Sequence, residues 1–154
     1  MYKKILLPID GSENSIRAAE HAINIADVSD VDITILFVLD PYYPKLEVLP
    51  IATLPSPDDN YYIELREEGK LMIKDLIHDF EENQCKGKCN NIHLNYIIKE
   101  GKAYIELLKT IDEENVDLVV MGASGKHSTL DRIVLGSVTE RVVRESKVPV
   151  IVIP

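Results

Sequence analysis

Lys3-Lys4-Ile5-Leu6-Leu7-Pro8-Ile9-Asp10-Gly11-Ser12 opens the chain with a short apolar run closed by a glycine turn. A run of that length and composition, bounded by a turn signal, reads as a strand buried on both faces. Ser12 suits the N-cap of a helix, and Ile16, Ala19, Ile23 and Ala26 then recur at helical spacing. The same pattern recurs nearer the C-terminus. Asp117-Leu118-Val119-Val120-Met121 leads into Gly122-Ala123-Ser124-Gly125, and Gly136-Ser137 then heads another helical stretch. In a parallel α/β sheet two such strand ends meet in one crevice, where small residues let a ligand approach bare backbone.

The remaining elements fill in around these two units. Val31 to Leu39 is rich in β-formers, and Leu65, Met72, Ile73, Leu76, Ile77 and Phe80 mark a second helix. Residues 92–98 return to strand, and a third helix follows Gly101 with Tyr104, Leu107, Leu108 and Ile111 on one face. A fourth helix is expected from Ser137 to Ser146, and a last strand over Val148 to Ile153. Strict strand–helix alternation predicts an α/β fold: an open five-stranded parallel sheet with helices on both faces. The order 3-2-1-4-5 sets the first and fourth strands side by side where the winding reverses, so the two glycine turns become neighbours.

The 154 residues suit one domain spanning 1–154. A chain of that size buries roughly two-thirds of its unfolded surface, so neither a metal nor a disulfide is needed for stability. The formal charge of −9, from 26 acids and 17 bases, disfavours binding to nucleic acid or to an anionic membrane. No stretch reaches the ~20 apolar residues of a membrane span, and the N-terminal run lacks the layout of a signal peptide. A cytoplasmic location is expected, with Cys85 and Cys89 as free thiols. Asp40 to Asn60 carries Pro41, Pro44, Pro50, Pro55 and Pro57 with Tyr42 and Tyr43, and reads as an irregular excursion at about 41–60. Such a segment is either a surface loop or a lid or partner-binding flap.

Three pieces are candidates for chemistry. Asp10, at the end of the first strand, suits a hydrogen bond to a ribose hydroxyl or an adenine amino group. It equally suits an Asp-Gly turn that caps the next helix. Gly122 to Gly125 offers a concave nest of backbone N–H groups for an anion, although it also serves as an ordinary strand-to-helix connection. It is not a Walker loop, since Lys126 and His127 follow Gly125, and no G-x-G-x-x-G follows the first strand. Ser137 and Glu140 fit a capping box, and the same helix N-terminus favours an anion.

Together these pieces resemble the universal stress protein family, in its nucleotide-binding branch. The resemblance runs from Ile5-Leu6-Leu7-Pro8-Ile9-Asp10-Gly11-Ser12 through Phe37-Val38-Leu39-Asp40 and Val116-Asp117-Leu118-Val119-Val120-Met121-Gly122. It continues over Leu135-Gly136-Ser137-Val138-Thr139-Glu140-Arg141-Val142 to the close Val148-Pro149-Val150-Ile151-Val152-Ile153. It implies a Rossmann-like domain of the adenine nucleotide alpha hydrolase-like kind that binds ATP or AMP and forms homodimers. Carried over by position, Pro8, Ile9, Asp10 and Val38 would surround adenine and ribose. Met121, Gly122, Gly125, Gly136, Ser137 and Val138 would line ribose and phosphates. The family signature is G-x2-G-x9-G-[ST]; this chain has ten residues between Gly125 and Gly136, and the extra one is placed within Lys126 to Thr129.

Ser124 belongs to the candidate nest, and Lys126 and His127 stand where they would neutralise phosphate charge. Mg²⁺ would be held mainly through the phosphates. Cys85, Cys89 and His93 are four apart but lack the second ligand pair of a zinc site, so no metal site is assigned. No residue is assigned as catalytic, because none is evidently placed to position an attacking water. The apolar strand Val148–Ile153 would be an edge, and pairing with a second copy would cover it. The function expected is that of a nucleotide-binding regulatory or stress-response protein acting as a homodimer. The alternatives are a dimeric interaction module that binds no nucleotide, and a slow ATPase.

Overall fold

The computed structural model describes residues 2–26, 30–40, 59–87, 92–124 and 135–154. Strand β1 (Lys4–Pro8) leads to helix α1 (Glu13–Ala26) and strand β2 (Val31–Leu39). Helix α2 (Asp59–Asp79) is continued by a π-helical turn over Phe80–Gln84. Strand β3 (Ile92–Glu100), helix α3 (Ala103–Glu113), strand β4 (Leu118–Gly122), helix α4 (Ser137–Glu145) and strand β5 (Val150–Ile153) complete the chain. The strands form one sheet in the order β3-β2-β1-β4-β5, with every neighbouring pair parallel. This is the α/β architecture and the strand order expected from the alternation of elements.

Alternation along the strands divides the core into two layers. Ile5, Leu7 and Ile9 join Ile33, Ile35, Phe37, Leu118 and Val120 beneath α1 and α2. Leu6, Leu36, Val119 and Met121 face the other way, against Leu107 and Ile111 of α3 and Val142 of α4. Ile5, Leu6 and Leu7 have no exposed surface, which is why this stretch reads as a continuous apolar run instead of an alternating one. Each such side chain contributes about 1.5–3 kcal/mol by leaving water. On α1 the buried face is mostly alanine (Ala18, Ala19, Ala22 and Ala26), and small side chains let the helix axis lie close to the sheet.

The start of β1 is clamped by the residue that leads into its parallel neighbour β4. Asp117, just before β4, accepts hydrogen bonds from the backbone N–H groups of Lys3 (2.8 Å) and Lys4 (3.1 Å). Its own N–H donates to Lys4 O at 3.0 Å. These bonds set the stagger in which Ile5 pairs with Leu118 and Leu6 with Val119.

Several expectations are revised. Helix α2 begins at Asp59, before the first apolar position that signals it, so the end of the expected 41–60 excursion is helical. Residues 41–58 of that excursion lie outside the described residues. The helix ends in a π turn closed by the bond from Cys85 N to Phe80 O at 2.9 Å, which no periodicity announces. β3 extends to Glu100, and β5 begins only at Val150 because Pro149 has no N–H for the ladder. Cys85 is disulfide-bonded and not the free thiol expected; Cys89 lies outside the described residues. His93 Nε2 lies 3.4 Å from Asp30 Oδ1.

Candidate functional site

β1 and β4 lie side by side in the middle of the sheet, and the chain winds away from them in opposite directions. The turns leaving the two strands therefore share one crevice at the carboxyl end of the sheet. After β1, Asp10 Oδ1 accepts from Ser12 N at 3.0 Å, closing an Asx turn over Gly11. Gly11 has φ +80°, a left-handed conformation that favours glycine. Ser12 then caps α1: its Oγ accepts from Ser15 N at 3.2 Å, and its carbonyl accepts from Ile16 N at 3.1 Å. The turn-and-cap role open to Asp10 is thus occupied, while its side chain stays exposed at the mouth of the crevice.

The far side of the crevice is built by β4. A Cβ placed on Gly122 would sit 2.8 Å from Asn14 Cβ and 2.9 Å from the Asn14 carbonyl carbon. Only glycine lets the first turn of α1 rest directly on the end of this strand. The Gly122 carbonyl accepts from Thr139 Oγ1 at 2.9 Å, and the Ala123 carbonyl accepts from Gly136 N at 2.8 Å. Those two bonds bring the start of α4 up to the end of β4. The Asn14 amide reaches across from α1, Nδ2 donating to Ser124 Oγ at 2.7 Å. Two helix N-termini and two strand ends thus converge on one spot.

The capping box expected at Ser137 and Glu140 does not form. Gly136 is the N-cap of α4, with no side chain closing the helix, and Glu140 instead pairs with Arg144. The bond from Gly136 N to Ala123 O fixes Gly136 as the last non-helical residue, so Ser137 becomes the first helical one. The third helical position then falls to Thr139, whose hydroxyl is committed to Gly122. An N-terminus without a side-chain cap presents unmatched backbone N–H groups and the positive end of the helix dipole.

The other expected site residues fall into three groups. Pro8, Val38, Gly122, Ser124, Gly136 and Val138 are half-buried around the carboxyl ends of β1, β2 and β4, and Ser137 is exposed at the head of α4. Ile9 is 8 % and Met121 4 % exposed, so both serve mainly as core beneath the crevice. Gly125, Lys126 and His127 lie outside the described residues. Three residues that sequence reasoning did not single out help to build the site: Asn14, Arg17 and Thr139. Arg17 donates to Asn14 Oδ1, holding the amide that meets Ser124. The signal for Asn14 was its place in the first turn of a capped helix that follows a glycine turn.

The family described as Universal stress protein family matches residues 1–154. This chain belongs to the universal stress protein family. It is 37 % identical over 155 residues to Universal stress protein MJ0531 of Methanocaldococcus jannaschii, spanning 99 % of this chain and 82 % of that one. Universal stress protein MJ0577 of the same organism is 32 % identical, with 99 % and 95 % covered. The solved structure of MJ0577 superposes with a TM-score of 0.79 at 29 % identity, covering 99 % of this chain and 96 % of that one. A universal stress protein solved in complex with cAMP shares the fold at 24 % identity and a TM-score of 0.54, covering 99 % and 97 %. For this universal stress protein, then, the family resemblance carried by segments along the whole chain and the sheet order chosen to bring the two glycine turns together are both borne out. No helix among the described residues is long and apolar enough to cross a membrane.

Proposed function

We propose that this universal stress protein binds an adenine nucleotide, ATP or AMP, in the crevice between the carboxyl ends of β1 and β4. The observation that carries the proposal is the convergence there of the Asp10–Gly11–Ser12 turn, the Ala123–Ser124 backbone and the uncapped start of α4. Pro8, Ile9, Asp10 and Val38 are assigned to the adenine and ribose side. Met121, Gly122, Ser124, Gly136, Ser137 and Val138 are assigned to ribose and phosphates, with Gly125 and Lys126 completing the phosphate end. A phosphate beside the first N–H groups of α4 gains from their hydrogen bonds and from the dipole, about 0.3–1 kcal/mol for the latter. Mg²⁺ would be held by the phosphates themselves. A universal stress protein with this fold has been solved with cAMP, which is in keeping with an adenine nucleotide as the ligand class.

The protein acts as a regulatory, cytoplasmic stress-response component and not as an efficient enzyme. It works as a homodimer joined through Val148–Ile153, and neither nucleic acid nor a membrane is its partner. Titration calorimetry of ligand-stripped protein with ATP, ADP and AMP tests the proposal. Saturable heat at one site per chain is expected. Absence of heat with all three would leave a dimeric interaction module as the function. Turnover under excess Mg²⁺-ATP measures separately whether any hydrolysis accompanies binding.

A further inference from the structure

Asn14 bridges two charged or polar neighbours, and their chemistry decides which way its amide points. Arg17 lies against Oδ1. A guanidinium has donors only, so the amide must turn its oxygen toward Arg17 and its NH₂ away. The NH₂ group then faces Ser124, and Nδ2 donates to Ser124 Oγ at 2.7 Å and lies 3.4 Å from Ser124 O. Because the amide nitrogen is a donor, Ser124 Oγ accepts in that contact, and its single proton is directed elsewhere. Ser124 is half-buried and directly follows Ala123, whose carbonyl is bonded to the residue that heads α4. Gly122 lies against the Asn14 Cβ and carbonyl, which sets the base of this side chain beside the end of β4.

We propose that Asn14 is a positioning residue of the nucleotide site, oriented by Arg17, which holds the Ser124 hydroxyl so that its proton is presented to a phosphate oxygen of the bound nucleotide. This role rests on the nucleotide-binding function proposed for the crevice. The arrangement relays polarity: the Arg17 cation sets the amide, the amide sets the hydroxyl, and the hydroxyl is left as a donor matched to an anion. It also ties the ligand to a side chain in the first turn of α1.

Calorimetry on the full chain with Mg²⁺-ATP, AMP and adenosine tests the relay, with thermal unfolding in the absence of nucleotide as the control for folding. Asn14→Ala should weaken ATP and AMP roughly three- to tenfold, the range for one neutral hydrogen bond, while adenosine is affected much less. Asn14→Asp should weaken them further, because a carboxylate only accepts and draws the Ser124 proton onto itself. In a Ser124→Ala background, Asn14→Ala should cost nothing more, and in a Ser124→Thr background, which keeps the hydroxyl, the cost should return. Unchanged ATP affinity in Asn14→Ala, an equal loss for adenosine, or a full loss persisting in Ser124→Ala would overturn the relay while leaving nucleotide binding intact. If the unaltered protein binds none of the three ligands, the functional proposal itself fails, and the relay fails with it.

Discussion

Gly122 holds α1 against β4 because it has no side chain to prevent the contact. An added Cβ would meet Asn14 at 2.8–2.9 Å, partly against backbone that cannot swing aside. Gly122→Ala should therefore destabilise the fold by roughly 1–3 kcal/mol, seen as a lower urea midpoint, even before any ligand is added. Asp117 acts at the other end of the same strands. Asp117→Ala removes two charge-assisted bonds to the Lys3 and Lys4 N–H groups, and should cost about 1–3 kcal/mol in the same assay. Tyr96 gives a pH signature. Partial burial and its hydrogen bond to Glu81 hold its phenol well above the ordinary value near 10. The unfolded chain then ionises first, so this contribution to stability is intact below about pH 10 and is lost as pH rises above it. Urea unfolding between about pH 9 and 11 should show a decline in the unaltered protein that is shallower in Tyr96→Phe.

At the scale of elements, the strands were the most legible part of the sequence, since Ile5-Leu6-Leu7 and Leu118-Val119-Val120 are buried on both faces and carry no polar interruption. Their turns were legible because Gly11 tolerates the left-handed backbone that the Asp10 and Ser12 side chains close by hydrogen bonds. The head of α4 was not. Ser137-Val138-Thr139-Glu140 fits a capping box locally, but a tertiary bond from Gly136 to Ala123 shifts the cap by one residue. The start of α2 was missed because Asp59 and Asn60 carry no apolar signal. The edge strand β5 has its own test. Pro149 O and Ile153 O accept from β4, so alternation turns the N–H groups of Val150 and Val152 outward. Val152→Pro removes one outward donor without touching the β4 ladder. On the proposed pairing of two copies through this edge, it should shift sedimentation from dimer to monomer with an unchanged far-ultraviolet spectrum; an intact dimer would contradict pairing through β5.

The whole molecule is organised by the adjacency of β1 and β4. Strand–helix alternation and right-handed crossovers limit the topology without fixing it; the order 3-2-1-4-5 is favoured because it makes the two glycine turns neighbours, and the sheet has that order. The cross-chain bonds that finish the crevice, Asn14 to Ser124 and Thr139 to Gly122, join residues far apart in sequence and leave no local pattern. Met121 shows the converse: its position beside the glycine turn marks it for the site, yet its side chain is 4 % exposed in the core layer. The most direct test of nucleotide binding in the crevice is a titration of ¹⁵N-labelled protein with ATP, read from amide chemical shifts. Saturable shifts concentrated on Gly11, Ser12, Ala123, Ser124 and Gly136 to Val138, with β3 and the far ends of the strands unmoved, are predicted. No shifts, or shifts confined to the opposite end of the sheet, would contradict it.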